Sequence, residues 1–329
     1  MAHKEKFPGI TVAVITALAA LFLSEHYGAP AMLFALLLGI AMSFLYEDTP
    51  CKEGIAFSAS FVLRVGVALL GLRIALNDLL VLGVQTIVLL AFAIATTIGL
   101  GIFLSKRMGL SGYFGALTGG STAICGASAA MAITAVLPDH EHKERDTLLT
   151  IIGVTSLSTV AMVVYPILVG QFGFATTDAG ILLGGTIHDV AQVVGAGYSV
   201  SEEVGDTATL VKLMRVSLLM PVVIIILTVV KRQNAIQDGA KAPGIPTFLV
   251  VFIVLMCINS LVAIPEVVSK PLIAFSRFAL VTSIAAIGMK SNLSKLTQVG
   301  FRPIVLMVVE TLWIGLFILV AILSKQYLS

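Results

Sequence analysis

The sequence predicts an all-α, polytopic membrane protein, and three features predict it. Of 329 residues, 58% are hydrophobic and 12% are charged, whereas soluble domains carry about a quarter charged residues. With a mean hydropathy of +1.05, the chain could not cover a globule with polar surface, so lipid must be its solvent. Apolar runs also recur at the length of a bilayer core, about 20 residues per helix. Finally, the joints between runs are short. The longest polar stretches, 139–146, 201–206 and 231–241, are too small to fold as domains.

Eleven spans follow in order, near 8–24, 29–46, 54–74, 79–104, 111–137, 147–170, 177–199, 207–230, 245–264, 267–289 and 303–324. The first follows Lys4 and Lys6, and Ala29-Pro30-Ala31 faintly suggests a cleavage site. The run is long and further spans follow, so it reads as a retained helix rather than a signal peptide. Stretches 79–105 and 108–138 contain no charged residue. The whole chain, 1–329, reads as one membrane-embedded domain, with repeat elements near 29–105 and 245–324 and a broken-helix core near 111–200.

Composition removes several function classes. A net charge of +2 with no basic tract argues against a nucleic-acid partner. Cys51, Cys125 and Cys257 are widely spaced and form no CxxC, so no disulfide framework, metal site or cofactor is expected. No GxxxxGK[ST] loop is present, which argues against ATP-driven pumping by this chain. No HExxH, paired-Asp or Ser/Lys signature suggests an enzyme. If all eleven spans cross and the N-terminus is cytoplasmic, eleven Lys and Arg residues fall inside and five outside. That places the C-terminus in the periplasm. The 139–146 loop fits worst, with two basic residues among four acidic ones on the outer side.

An internal repeat stands out. Gly71-Leu72-Arg73 is followed by Leu76, Leu79 and Gly83, and Gly288-Met289-Lys290 by Leu293, Leu296 and Gly300, an offset of 217 residues. Three spans precede the first copy and ten the second, so the copies point in opposite directions. Inverted-topology repeats mark secondary transporters.

The fifth and seventh spans are rich in helix-weakening residues. The fifth carries Gly119-Gly120-Ser121-Thr122 and the seventh Gly184-Gly185-Thr186-Ile187-His188-Asp189, then Gln192. Each glycine costs a helix about 1 kcal/mol relative to alanine, and Ser or Thr is a good N-cap. The expectation is a break at each glycine pair, with a new helix starting at the hydroxyl residue. Its free N–H groups and positive dipole end, with the hydroxyls of Ser121, Thr122 and Thr186, would bind an oxyanion at mid-membrane. Gly126, Ser128 and Ala129-Ala130 read instead as close-packing positions. If every span crosses, spans five and seven run in the same direction. Either one re-enters, or the two are not inverted mates.

Ionisable groups at depth are costly and functional. The acids are Asp189 and Glu310; the bases are Arg64, Lys212, Arg215 and Arg277, with Arg73 and Lys290 near span ends. The basic excess favours an anionic substrate, with charge supplied by Arg64 or Arg277. The alternative for Arg64, Arg215 and Arg277 is snorkelling or pairing with Asp189 or Glu310, and Lys212 and Arg215, near a helix end, are expected to snorkel. His188, Asp189 and Glu310 are the candidate proton-coupling groups.

The glycine-rich stretches 118–128 and 184–192, together with Gly71-Leu72-Arg73 and Leu76, resemble the YeiH-like family of bacterial inner-membrane proteins, often labelled sulfate exporters. The resemblance covers essentially the whole chain. It implies kinship with sodium/proton antiporters and bile-acid symporters, two discontinuous helices crossing at mid-membrane, and alternating access by a rocking bundle or an elevator. On it, Gly119, Gly120, Ser121 and Thr122 fall on one crossing helix, and Gly184, Gly185, Thr186, His188 and Asp189 on the other. The expected function is proton-coupled export of a small anion such as sulfate, sulfite or an organosulfonate, by a protein of the bacterial inner membrane that can pair as a homodimer. The rivals are cation/proton antiport through Asp189 and Glu310, and an anion channel.

Overall fold

The structure, a computed structural model, describes residues 2–28, 30–47, 49–232, 246–262, 264–291 and 300–328. No strand occurs among the described residues. In chain order the helices are α1 (Ala2–Tyr27), α2 (Ala31–Ala41), α3 (Lys52–Phe57), α4 (Leu63–Leu69), α5 (Leu76–Arg107), α6 (Gly112–Ala123), α7 (Ala127–Thr134), α8 (Lys143–Phe172), α9 (Thr176–Thr186), α10 (Val190–Val200), α11 (Glu202–Ser217), α12 (Leu219–Arg232), α13 (Thr247–Leu261), α14 (Glu266–Lys290) and α15 (Phe301–Leu328). Local chemistry sets several ends. Pro30, Pro246 and Pro265 immediately precede α2, α13 and α14. Ser111 and Ser201 cap α6 and α11 by accepting from Phe114 N and Val204 N. Gly173, at φ 62°, closes α8.

Each of the eleven predicted runs contains helix among the described residues. Among those residues, seven continuous segments are long and apolar enough to cross a membrane, including α3 running through a π turn into α4, and α11 running into α12. The helices α2 and α13 are shorter. The remaining two runs are each broken into halves, α6 with α7 and α9 with α10.

The halves turn back instead of crossing. Thirty residues carry α8 about 45 Å, from one end of the bundle to the other. At its start, Thr147 hydrogen-bonds Thr134 at the end of α7 (2.9 Å). Beyond its other end, Thr176 and Thr177 share a cavity wall with Ile74 and Asp78, at the start of α5. The end of α7 therefore lies at the Arg107 end of α5, where α6 also begins. Likewise α9 begins at the Arg73 end, and α10 finishes there, since the next residue but one, Glu202, pairs with Arg73 (2.9 Å). Two helical hairpins thus enter the bundle from opposite ends and meet at their tips. This answers the direction problem of spans five and seven: both re-enter.

The glycines matched at the 217-residue offset have similar surroundings. Gly71 lies so close to α13 that a Cβ there would sit 2.4 Å from the Phe252 carbonyl oxygen; on Gly288 it would sit 2.5 Å from that of Leu36 in α2. The third predicted span thus packs on the ninth as the tenth packs on the second. Gly83 and Gly300, the last matched pair, both hold positive φ, 69° and 88°. Leu293 and Leu296 lie outside the described residues.

Candidate functional site

Half-helices at mid-membrane leave backbone groups that lipid cannot satisfy. At the first hairpin tip α6 ends at Ala123, and the chain reverses through Ile124 and Gly126 (φ 63°, ψ −126°) into α7. At the second, Ile187 is extended and Asp189 opens α10, its Oδ1 accepting from Ala191 N at 2.8 Å.

Lys212 and Arg215, one turn apart on α11, satisfy the carbonyl ends of both hairpins. Lys212 Nζ donates to the carbonyls of Ile124 (2.7 Å), Ile187 (2.9 Å) and His188. Arg215 donates to those of Thr122, Ala123, Gly184 and Ile187, at 2.7–3.1 Å. Both side chains are fully buried. The expectation that they snorkel is wrong: they neutralise the negative dipole ends of α6 and α9 where those ends converge.

The breaks also lie elsewhere than expected. Gly119, Gly120, Ser121 and Thr122 sit inside α6, and Gly184, Gly185 and Thr186 inside α9, each break following a few residues later. The expected oxyanion cradle of Ser121, Thr122 and Thr186 does not form. Ser121 and Thr186 hydroxyls donate to their own Leu117 and Leu182 carbonyls, and Thr122 donates to Glu310 (3.3 Å). The glycines instead admit neighbours. A Cβ on Gly119 would come 3.0 Å from Thr97 O, and on Gly184 2.4 Å from Ala208 O. Close packing offsets the low helix propensity of glycine in a membrane interior. Gly126, read as a packing residue, is the turn itself, its φ being one that L side chains rarely adopt.

With the C-terminal ends neutralised, the N-terminal turns of α7 and α10 face two adjoining cavities. One, of about 670 Å³, is lined by Arg64, Cys125, Ser128, Asp189, Val190 and Lys290, among others. The other, of about 280 Å³, is lined by Tyr46, Ala127, Thr159, Asp189, Gln192 and Lys290, among others. Sharing Ala59, Asp189 and Lys290, they form one cleft. No side chain caps α7. Arg64 and Lys290 form no salt bridge among the described residues, so the cleft carries two free cations against Asp189.

Arg277 is not part of this cleft. It bonds Glu202 (3.0 Å) at the Arg73 end, where Arg73 also holds Glu202 (2.9 Å) and Asp206 (2.8 Å), and Tyr198 bonds Asp206 (2.5 Å). Partial burial opposes the charge on Arg73, but Asp206, Tyr198 and Glu202 outweigh it and hold its pKa above the ordinary value. These contacts tie the α4–α5 joint and α14 to α10 and α11.

The acids part company as well. Glu310 is fully buried behind α6, its oxygens held by Thr118 (2.8 Å) and Thr122 (3.3 Å), with no basic partner among the described residues. His188 does not pair with Asp189; its Nε2 lies 3.0 Å from Thr311 Oγ1, one residue beyond Glu310. Lys290 and Ser128 were not singled out as ligands from sequence. A signal for Lys212 and Arg215 was present in their i, i+3 spacing, which puts both cations on one helix face at depth.

The family described as Conserved hypothetical protein 698 matches residues 8–307. A UPF0324 membrane protein of Chlorobaculum tepidum is 50% identical over 95% of this chain and 88% of its own length. This chain belongs to the UPF0324 family. The UPF0324 membrane protein TauZ of Paracoccus denitrificans is 52% identical over 96% of this chain and 94% of its own. The UPF0324 inner membrane protein YeiH of Escherichia coli is 30% identical over 87% and 83%, so the YeiH-like resemblance holds. The solved sodium proton antiporter MjNhaP1 of Methanocaldococcus jannaschii aligns over 97% of this chain and 99% of that one, at 13% identity and a TM-score of 0.32. Like its named relatives, this UPF0324 chain is a membrane protein.

Proposed function

We propose that this UPF0324 protein is a secondary carrier of a small anion, which binds in the mid-membrane cleft and crosses by alternating access. The observation that carries the reading is the electrostatic sorting at the hairpin tips. The negative helix ends are consumed by Lys212 and Arg215, while the uncapped N-terminus of α7 faces a cleft lined by Arg64 and Lys290. Such a site favours an anion. The resemblance adds a small inorganic or sulfur-containing anion, with sulfate, sulfite and organosulfonates as the candidates to test.

Alternating access has supports at both ends. The cleft lies toward the Lys290 end, while the Arg73–Glu202–Arg277 contacts join the same elements at the other. Re-entry of the first hairpin moves Lys143 and Arg145 to the side of the N-terminus. The Lys and Arg count becomes thirteen against three, with Lys241 and Lys295, outside the described residues, assigned by sequence. By the positive-inside rule the N-terminus is cytoplasmic, the C-terminus is periplasmic, and the cleft loads from the cytoplasm, as export from a bacterial inner membrane requires. Asp189 in the cleft and Glu310 against α6 are the proton-coupling groups of this reading.

The test is uptake of radiolabelled sulfate and sulfite by proteoliposomes, with and without a pH gradient, for wild type, Arg64→Ala and Asp189→Asn. The reading expects saturable flux that follows the gradient, weakens in Arg64→Ala and loses gradient dependence in Asp189→Asn. Sodium-driven pH change without anion flux would replace it with cation antiport. Conductance without saturable exchange would replace it with a channel.

A further inference from the structure

Next to Asp189 the cleft wall holds an unpaired acceptor. Gln192 lies one turn along α10 from Asp189, lines the same cleft, and is only 2% exposed. Its amide orientation is fixed by its neighbour. Gln192 Nε2 donates to Thr159 Oγ1 (2.9 Å), and that hydroxyl gives its one proton to the Thr155 carbonyl (3.0 Å). Thr159 can therefore only accept, and a flipped amide would set two acceptors face to face. Oε1 is left as the free atom, and no donor reaches it among the described residues. Buried acceptors in folded proteins are paired almost without exception, and an orphan calls for an explanation.

We infer that the anion carried through this cleft has a hydrogen-bond donor of its own, an O–H or N–H beside its charged oxygens, and that Gln192 Oε1 receives it. This rests on the anion-carrier reading and adds the substrate class. The charged oxygens face Arg64, Lys290 and the N-terminal turn of α7; the donor faces Gln192 Oε1, with Asp189 on the same helix face. Hydroxysulfonates and hydrogen-bearing oxyanions such as bisulfite satisfy both sides. An alkylsulfonate or fully deprotonated sulfate leaves Oε1 unpaired. Leaving such a buried group without its partner lowers affinity on the order of 10-fold.

The experiment uses the full chain in proteoliposomes and measures inhibition of radiolabelled sulfite uptake by two near-isosteric competitors, 2-hydroxyethanesulfonate and propane-1-sulfonate. The expected result is about 10-fold tighter competition by the hydroxylated compound in wild type, and a ratio falling toward one in Gln192→Met. The wild-type ratio needs no variant, so misfolding of Gln192→Met leaves the inference testable. Equal competition by the two compounds in wild type overturns the inference and leaves the anion carrier standing, as does an unchanged preference in a folded Gln192→Met. No anion uptake at all removes both.

Discussion

Replacing Arg215 with methionine tests whether the two hairpin tips are held by buried cations. Arg215 donates to four carbonyls, of which Ile187 is also served by Lys212. Methionine leaves the Thr122, Ala123 and Gly184 oxygens without that donor, in a region that water does not reach. At about 1–3 kcal/mol for each unsatisfied buried group, the gross loss is about 3–9 kcal/mol. Removing a fully buried guanidinium also removes its desolvation penalty, which is several kcal/mol. The net expectation is a loss of about 3 kcal/mol, or about 4 °C in the thermal midpoint for a chain of this size. The assay is thermal unfolding of the purified protein in detergent, with Arg64→Met as control, because Arg64 is exposed in the cleft and should change the midpoint by less than about 1 °C. Arg215→Lys should fall between, since an ammonium has three donors where the guanidinium has five. A midpoint for Arg215→Met within 1 °C of wild type would refute the reasoning, because the carbonyls would then be satisfied without the side chain.

Other consequences follow from the same packing and charges. Gly39→Ala puts a Cβ 2.2 Å from the Ala285 carbonyl oxygen and must push α2 off α14; overpacking of this kind costs about 1–3 kcal/mol, read as a lower midpoint and reduced membrane-inserted yield. Glu310→Gln keeps an acceptor for Thr118 and should fold, but if Glu310 carries a coupling proton, flux in proteoliposomes will no longer respond to a pH gradient. An unchanged gradient response would confine Glu310 to a structural role. Glu202→Gln weakens the contacts to both Arg73 and Arg277. Exposed pairs contribute about 0–1 kcal/mol each, so the expected change is a rise of about two- to five-fold in thiol labelling of Met32→Cys, which lines the cavity at that end. Labelling at the wild-type rate would show that the pairs do not hold that end shut.

Hydropathy made the helices legible, because a lipid-solvated backbone must satisfy its hydrogen bonds within each segment and mark its length in apolar residues. The glycines matched at the 217-residue offset have a similar local reason, since Gly71 and Gly288 stand where backbones touch, and Gly83 and Gly300 where φ is positive. The broken helices could be assigned to spans but not to residues. A glycine pair weakens a helix equally whether the chain unwinds there or a neighbour packs against it, and only the helices beside α6 and α9 decide between the two. Re-entry was hidden for the same reason: a half-helix pair and a full span contain the same number of apolar residues, and the difference lies in where Thr134 meets Thr147 and where Glu202 meets Arg73. Charges at depth were legible as costly, but their partners were not. Lys212 and Arg215 found backbone carbonyls, Glu310 found two hydroxyls, and Arg277 found Glu202 at the far end from Arg64. The sequence by itself determined that this protein lives in lipid, that it is helical, and that two of its spans are unstable as continuous helices. Only the tertiary structure decided where those spans turn, which dipole ends are neutralised and which face the cleft, because those outcomes depend on groups brought together from α6, α9 and α11, whose separation along the chain no local pattern encodes.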